Sequence, residues 1–352
     1  MKEEAIRMVN KLKLRLSAQK DNYTLYTNWQ IAKLSNDFSE FYYKTILLKD
    51  LSEYLSQGVQ LNEVIIFNSS ININSQYTKY KNPILNLNNS NDVLKYYHLG
   101  SPVPLFPNRQ ILVIHEFFEA YRQYYSIVNR HKLFIGSKKE DLSKLYEISK
   151  KESITEFNIV DFFISSITES NIDNDNRKKC IKEIDGAFKN FNREFQKSLE
   201  NHLEYKSEQF NYIFNRFERP IIGVKLADDE IKLLGSDFFV QSEFTYSNSR
   251  FLETNLIKQN SPLEMTLTMS LLILPSILII LREKWILMIA QNKNGELDQE
   301  ILNLEKEIKK MEAKSQQEGL SINSPSQLPD SLLNSVNKKG RQVFDELDVE
   351  VI

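Results

Sequence analysis

Glycine is scarce in this chain, with nine in 352 residues, well below the ~7 % usual in soluble proteins. Few glycines leave few places where a backbone can turn tightly around a phosphate. No phosphate loop, Gly-rich dinucleotide turn or Gly-x-Ser-x-Gly elbow is present, so loop-built nucleotide sites and serine-hydrolase chemistry have no support. Cysteine is nearly absent. Cys180 stands alone, which excludes a disulfide framework or a cysteine-built zinc site within one chain and suits a reducing compartment. Charge of one sign is lacking too. Forty-five basic and 47 acidic residues leave a net −2, so no global field attracts nucleic acid or anionic lipid. A secretory leader is not expected, because MKEEAIRMVNKLKLRL is charged throughout and has no apolar core.

What the chain does have is hydrophobic mass, 41 % of its residues, and one exceptional run. Met265 to Leu281 is seventeen residues without a charge, and Arg282-Glu283-Lys284 alone separates it from the apolar Trp285–Ala290. A helix needs about 20 apolar residues to cross a bilayer. Thr266, Thr268, Ser270 and Pro275 weaken this run further. A single span would place Arg282 and Lys284 outside, against the positive-inside bias. The run is therefore expected to hide in a domain or oligomer core. Lying in the membrane surface, re-entering at Pro275, or spanning remain the alternatives.

The pattern along the chain predicts an α+β protein, predominantly helical in its N-terminal part. Residues 1–219 read as a mostly helical domain. Ile6, Val9, Leu12 and Leu16 predict an amphipathic helix over 1–20, and a second helix is expected over 35–57, ended by Gly58. Val64–Phe67 reads as a strand, with Ile71–Ile73 a poorer one. The Asn-rich stretch 68–92 reads as a surface loop or weak hairpin. Helices follow over 108–132, 138–150 and 156–169, and a long one from Asn176 to Phe217, stopped by Arg219-Pro220. After Pro220 the period changes, and 220–260 reads as an antiparallel β-meander whose first turn holds Asp228 and Asp229. An apolar helix over 261–291 is expected, capped by Ser261 with Pro262 at its first position. Over 296–316 an amphipathic helix carries Leu297, Ile301, Leu304, Ile308 and Met311 at a/d spacing. Residues 317–352 read as a flexible tail.

Around Asn260-Ser261-Pro262-Leu263-Glu264 the chain resembles a loose set of uncharacterised bacterial proteins with a strand, a Ser-Pro-Leu-Glu motif, an apolar helix and a charged amphipathic helix. FSEFYYKTILL near the N-terminus is similar as well. The resemblance covers about the last hundred residues. It implies a bacterial conflict (phage-defence) or mobile-element context, and no activity. Abundant Lys, Asn, Ile and Phe fit an AT-rich genome of that kind.

Two clusters carry residues suited to chemistry. Arg109 and His115 have the Arg-x5-His spacing that resembles the motif of helical HEPN RNases. That resemblance implies an Arg and a His holding an RNA phosphate and assisting 2′-hydroxyl attack in a dimer groove. Here the spacer is mostly apolar, and the ordinary reading of Arg109 is a helix-start residue. His115 and Glu119 share a helix face at i, i+4 and form the best metal-like pair. The zinc-protease pattern fails, because Glu119 stands where a second His is needed, and a third ligand such as His98 or His131 must come from elsewhere. Asp173–Arg177 begins like a calcium loop but lacks the glycine and places Arg at a ligand position. No metal or cofactor is expected.

The leading expectation is a non-enzymatic cytoplasmic protein that self-associates or binds a protein partner through 262–312, either free in the cytoplasm or at a membrane surface. The apolar positions Leu271, Leu274 and Leu278 and the seam Leu297, Ile301, Leu304 and Ile308 are the expected contacts. A HEPN-like RNase using Arg109 and His115, and a membrane-active effector inserting 262–290, are the alternatives. Nucleic acid is not an expected partner of the leading reading.

Overall fold

A computed structural model describes residues 11–18, 26–70, 83–151, 157–167, 174–191, 193, 195, 205–226, 229–234, 252–258, 263–320, 328–345 and 347–352. The fold is α+β and largely helical, with two small antiparallel sheets and long helices toward the C-terminus. The chain divides into two compact units. Met1–Glu53 joins Asp237–Ile352 in one, and Tyr54–Ser236 forms the other. The expected boundary at 219/220 is not where the units divide, and the first unit is built from both ends of the chain.

The described part of the N-terminal segment corrects the expected helix. Lys11–Ala18 is a strand, β1. Its sequence KLKLRLSA alternates at period two, which puts Leu12, Leu14, Leu16 and Ala18 on one buried face and Lys13 and Arg15 on the other. Leu12 and Leu16 fit a helical spacing as well, and the intervening Leu14 decides for the strand. Helix α1 (Asn28–Ser56) begins earlier than expected. It ends before Gly58, whose φ of 102° is open to glycine and strained for other residues.

The second unit centres on strand β2 (Val64–Ser70), in which Val64, Ile65, Ile66 and Phe67 are all fully buried. Ile71–Ile73 lies outside the described residues. The expected Asn-rich loop is partly structured: β3 (Ile84–Asn86) and helix α2 (Ser90–His98) fall within it, with the Asn89 side chain accepting from Asn91 N as the helix cap. Short strand β4 (Pro102–Pro104) precedes α3 (Arg109–Arg130), α4 (Lys138–Ser149) and α5 (Ile159–Ser165), close to the expected ranges. The expected long helix is not continuous. Helix α6 (Asn174–Phe188) stops at a turn over 189–190, and α7 (Tyr205–Arg216) is separate. Phe188 packs edge-on to Phe163 at 5.0 Å and, across that turn, to Phe191 at 6.2 Å. Strands β5 (Pro220–Lys225) and β6 (Glu230–Leu234) form the expected hairpin, with Asp229 in the left-handed region at φ 61°. The sheet order is β3-β6-β5-β2-β4.

The rest of the expected meander is not in that sheet. Residues 238–246 lie outside the described residues, and β7 (Glu253–Lys258) belongs to the first unit. There it pairs with β8 (Leu263–Ser270), which pairs with β1 in register Leu12↔Met269, Leu14↔Leu267 and Leu16↔Met265. The expected apolar helix over 261–291 is thus half wrong. Its first part is a strand because Leu263, Met265, Leu267 and Met269 alternate, with β-branched Thr266 and Thr268 between them. Ser270 closes the strand and caps a short turn, its side chain accepting from Leu272 N. Helix α8 (Leu274–Gln291) carries only the remaining apolar residues, with Pro275 in its first turn. Among the described residues no helix is long and apolar enough to cross a membrane.

Helix α9 (Asp298–Gln317) packs against α8. The expected flexible tail is instead helix α10 (Asp330–Asp345) and strand β9 (Asp348–Val351), with 321–327 and 346 outside the described residues. Leu332, Val336, Val343 and Phe344 make the buried stripe of α10. Phe344 sits edge-on to Phe38 and Phe41, with ring centroids 6.1 and 5.7 Å apart. Lys339 Nζ reaches Asp37 at 2.6 Å and Glu40 at 2.9 Å, tying α10 to α1. Strand β9 adds to the free side of β1, giving the order β7-β8-β1-β9. The alternation in the last residues, which could be mistaken for fraying, is that of an edge strand.

Candidate functional site

The strongest candidate is the far end of the α8–α9 hairpin. In the first half of α8, Leu274, Ile277, Leu278 and Leu281 are buried. Beyond the charged cluster the same helix reaches the surface. Ile286 is 59 % exposed, Leu287 58 % and Ile289 46 %, and Leu302 on α9 is 52 % exposed. At 3.6 residues per turn, Ile286, Leu287, Ile289 and Ala290 occupy one side of the helix. The half-buried Trp285 and Met288 lie on the opposite side. The last two turns are therefore apolar all round, the pattern of a buried helix rather than a surface one. The Trp285 Nε1 atom is buried and has no hydrogen-bond partner among the described residues.

The tip is held rigidly. Arg282 Nε and Nη2 donate to Glu312 Oε1 at 3.0 and 2.7 Å, clamping α8 to α9. In the connection, Asn292 Nδ2 donates to Asp298 Oδ1 at 2.6 Å, and Asn292 Oδ1 accepts from Leu297 N at 3.1 Å. Gly295 supplies the turn at φ 77°. A fixed apolar face loses little conformational entropy on binding.

The expected contact residues divide. Leu271, Leu274 and Leu278 are 2 %, 0 % and 0 % exposed, and Ile308 is 6 %. The chain's own first unit buries them, so none of these four can meet a partner without unfolding. Ile301 and Leu304 are half-buried on the helix that packs against α8, and the half-buried Leu297 immediately precedes it. The a/d seam is thus largely spent within the chain, where α8 takes the place of a second coil. The exposed face Ile286–Ile289 was not singled out by spacing, although its all-round apolarity was in view.

Arg109 and His115 do not meet. Arg109 is exposed at the start of α3 and its Nη1 donates to Lys151 O at 2.8 Å. His115 is buried, 8 % exposed, with Nδ1 3.0 Å from Pro102 O. Six residues apart, they point about 120° away from each other around the helix. Glu119 instead accepts from Ser101 Oγ and pairs with Arg122 Nη1 at 3.1 Å. Among the described residues no group of three or more His, Cys, Asp or Glu side chains is placed to hold a metal ion.

A half-buried polar knot closes the β5–β6 hairpin in the second unit. Asp229 accepts from Tyr146 Oη at 2.8 Å and pairs with Lys150 Nζ at 2.8 Å. Burial pushes the Asp229 carboxyl up, but the bonds from Lys150 and Tyr146 outweigh it and hold the group below its usual range. Lys150 is raised by Asp229 and Glu147 against the opposing effect of burial. The adjoining cavity, lined by Ile65, Tyr96, Gln110 and Lys225 among others, measures about 20 Å³, room for about one water.

No protein-family profile, curated protein or solved structure matches this chain.

Proposed function

We propose that this protein acts by self-association in the cytoplasm, through the apolar end of the α8–α9 hairpin. The observation that carries the reading is the aliphatic face Ile286, Leu287 and Ile289, opposite the side of α8 that the chain already covers. A two-fold arrangement sets the same face of a second copy against it, completing a four-helix contact in which each patch is self-complementary. Three half-exposed aliphatic side chains per copy, six in the dimer, contribute roughly 4–9 kcal/mol on burial. Association costs about 4–15 kcal/mol. The dimer is then concentration-dependent rather than permanent.

Sedimentation velocity on the full chain across a wide concentration range tests this. A monomer–dimer equilibrium that Leu287→Glu abolishes is the expected result. A chain that stays monomeric at the highest concentration, or a dimer untouched by the substitution, removes the reading.

A further inference from the structure

The second unit holds two cations on one ring, of which only Arg122 has a carboxylate partner among the described residues. Helices α2, α3 and α4 each contribute to it. Tyr97, on α2, presents its ring to two cations: Arg122 Cζ lies 4.7 Å from its centroid and Lys138 Nζ also 4.7 Å. The two positive groups are thus no further apart than twice that distance. Lys138 Nζ lies 4.8 Å from the Tyr125 ring as well, so two aromatic faces hold the ammonium in place. Lys138 is the first residue of α4, behind the cap Ser137. The positive end of that helix adds to the local field.

Donor accounting shows what is missing. A guanidinium has five N–H donors and no acceptor. Arg122 uses three of them, on Ser101 Oγ, Glu119 Oε1 and Tyr97 O. Glu119 thereby balances the Arg122 charge. Lys138, half-buried, makes no hydrogen bond and no ion pair among the described residues, and only the two rings face its charge. Burial and the nearby Arg122 charge both push its pKa down.

We propose that Lys138, with the remaining two donors of Arg122, binds the phosphoryl group of a small phosphorylated molecule beside the Tyr97 and Tyr125 rings. A phosphate dianion has oxygens enough to accept from both cations at once and a charge that offsets Lys138. The rings and the bonds to Tyr97 O and Ser101 fix both cations beforehand, so little entropy is lost when the anion arrives. This site is independent of the hairpin tip and of self-association.

The test uses the full chain and inorganic phosphate as the probe, with thermal unfolding followed against phosphate concentration and sodium chloride at matched ionic strength as the control. Phosphate is expected to raise the midpoint of the wild type above the chloride control. Lys138→Met, which keeps the apolar stem between the two rings, is expected to lose that rise. A second measurement needs no loss-of-charge variant to fold. The methyl-labelled Lys138 ammonium, assigned by its absence from Lys138→Arg, is followed by NMR through its titration, and phosphate is expected to raise its pKa. A wild type that responds no more to phosphate than to chloride, an equal response in Lys138→Met, or an unmoved Lys138 titration overturns the proposal.

Discussion

Replacing Ile286 by Glu separates a functional surface from a structural one. Ile286 is 59 % exposed on α8, and glutamate is a good helix former. In the monomer the new carboxylate is solvated and leaves stability within about 0.5 kcal/mol of wild type. In a two-fold dimer the same change removes apolar contact from both copies, roughly 1 kcal/mol each. It also brings two carboxylates into one dry contact, where each resists desolvation. A combined loss of at least about 3 kcal/mol is expected, which weakens the dimer roughly a hundredfold. Two readings are needed on the same samples: sedimentation velocity over a concentration series, and thermal unfolding by circular dichroism at the lowest concentration. The expected pattern is an unchanged melt with the dimer lost. A melt lowered by several degrees would show that the chain itself covers Ile286. A dimer that persists in Ile286→Glu would place self-association elsewhere. Either outcome refutes the reasoning.

Three further outcomes follow from packing and charge. At Gly340 a Cβ would stand 2.6 Å from Phe41 Cε2 and closer still to Ile280 Cδ1; Gly340→Ala should cost about 1–3 kcal/mol of overpacking against about 1 kcal/mol gained in helix propensity, and urea unfolding should show a net loss. Removing residues 321–352 should not be the harmless trimming of a tail, because it strips Phe344 from Phe38 and Phe41 and opens one side of β1; light scattering should show aggregation, and a soluble protein with an unchanged melt would contradict this packing. Asp229 has a depressed folded pKa, so its contribution is present above the unfolded value of about 3.9 and is lost as pH falls through the folded one; Asp229→Asn should lower stability near neutrality and reduce the loss of stability on acidification below about pH 4, as read by urea midpoints across the acid range.

The sequence by itself determined the elements whose patterns have one solution. Helix α3 carries twelve buried residues between Ile111 and Val128, and no strand of that length fits a domain. Pro220, whose ring and missing N–H bar a helix from running through it, marked the change from α7 to the hairpin, and that hairpin was legible from alternation about an acidic turn. The cap at Asn89 and the amphipathic stripe of α10 were equally present in the letters, but the surrounding polar residues disguised them as loop and tail. Among the site residues, the apolar segment Trp285–Ala290 was plain, and so was the need to hide it.

Tertiary structure decided which pattern won where two were possible. Met265–Leu281 is uncharged throughout, and hydropathy alone cannot divide it. The partner does so, since β1 offers Leu12, Leu14 and Leu16 at period two and Met265–Met269 answers in register. That pairing joins residues some 250 positions apart, which no local window contains. The same holds for the a/d seam of α9. Spacing showed that Ile308 and Met311 wanted a helix, but only the fold placed α8 of the same chain there, leaving Ile286, Leu287 and Ile289 as the side still uncovered. The cations at Tyr97 were invisible for the same reason: Arg122 and Lys138 sit on different helices, and nothing in their spacing brings two positive charges to one ring. Periodicity reports which face of an element is apolar, and the identity of the element that covers it is a property of the packed chain.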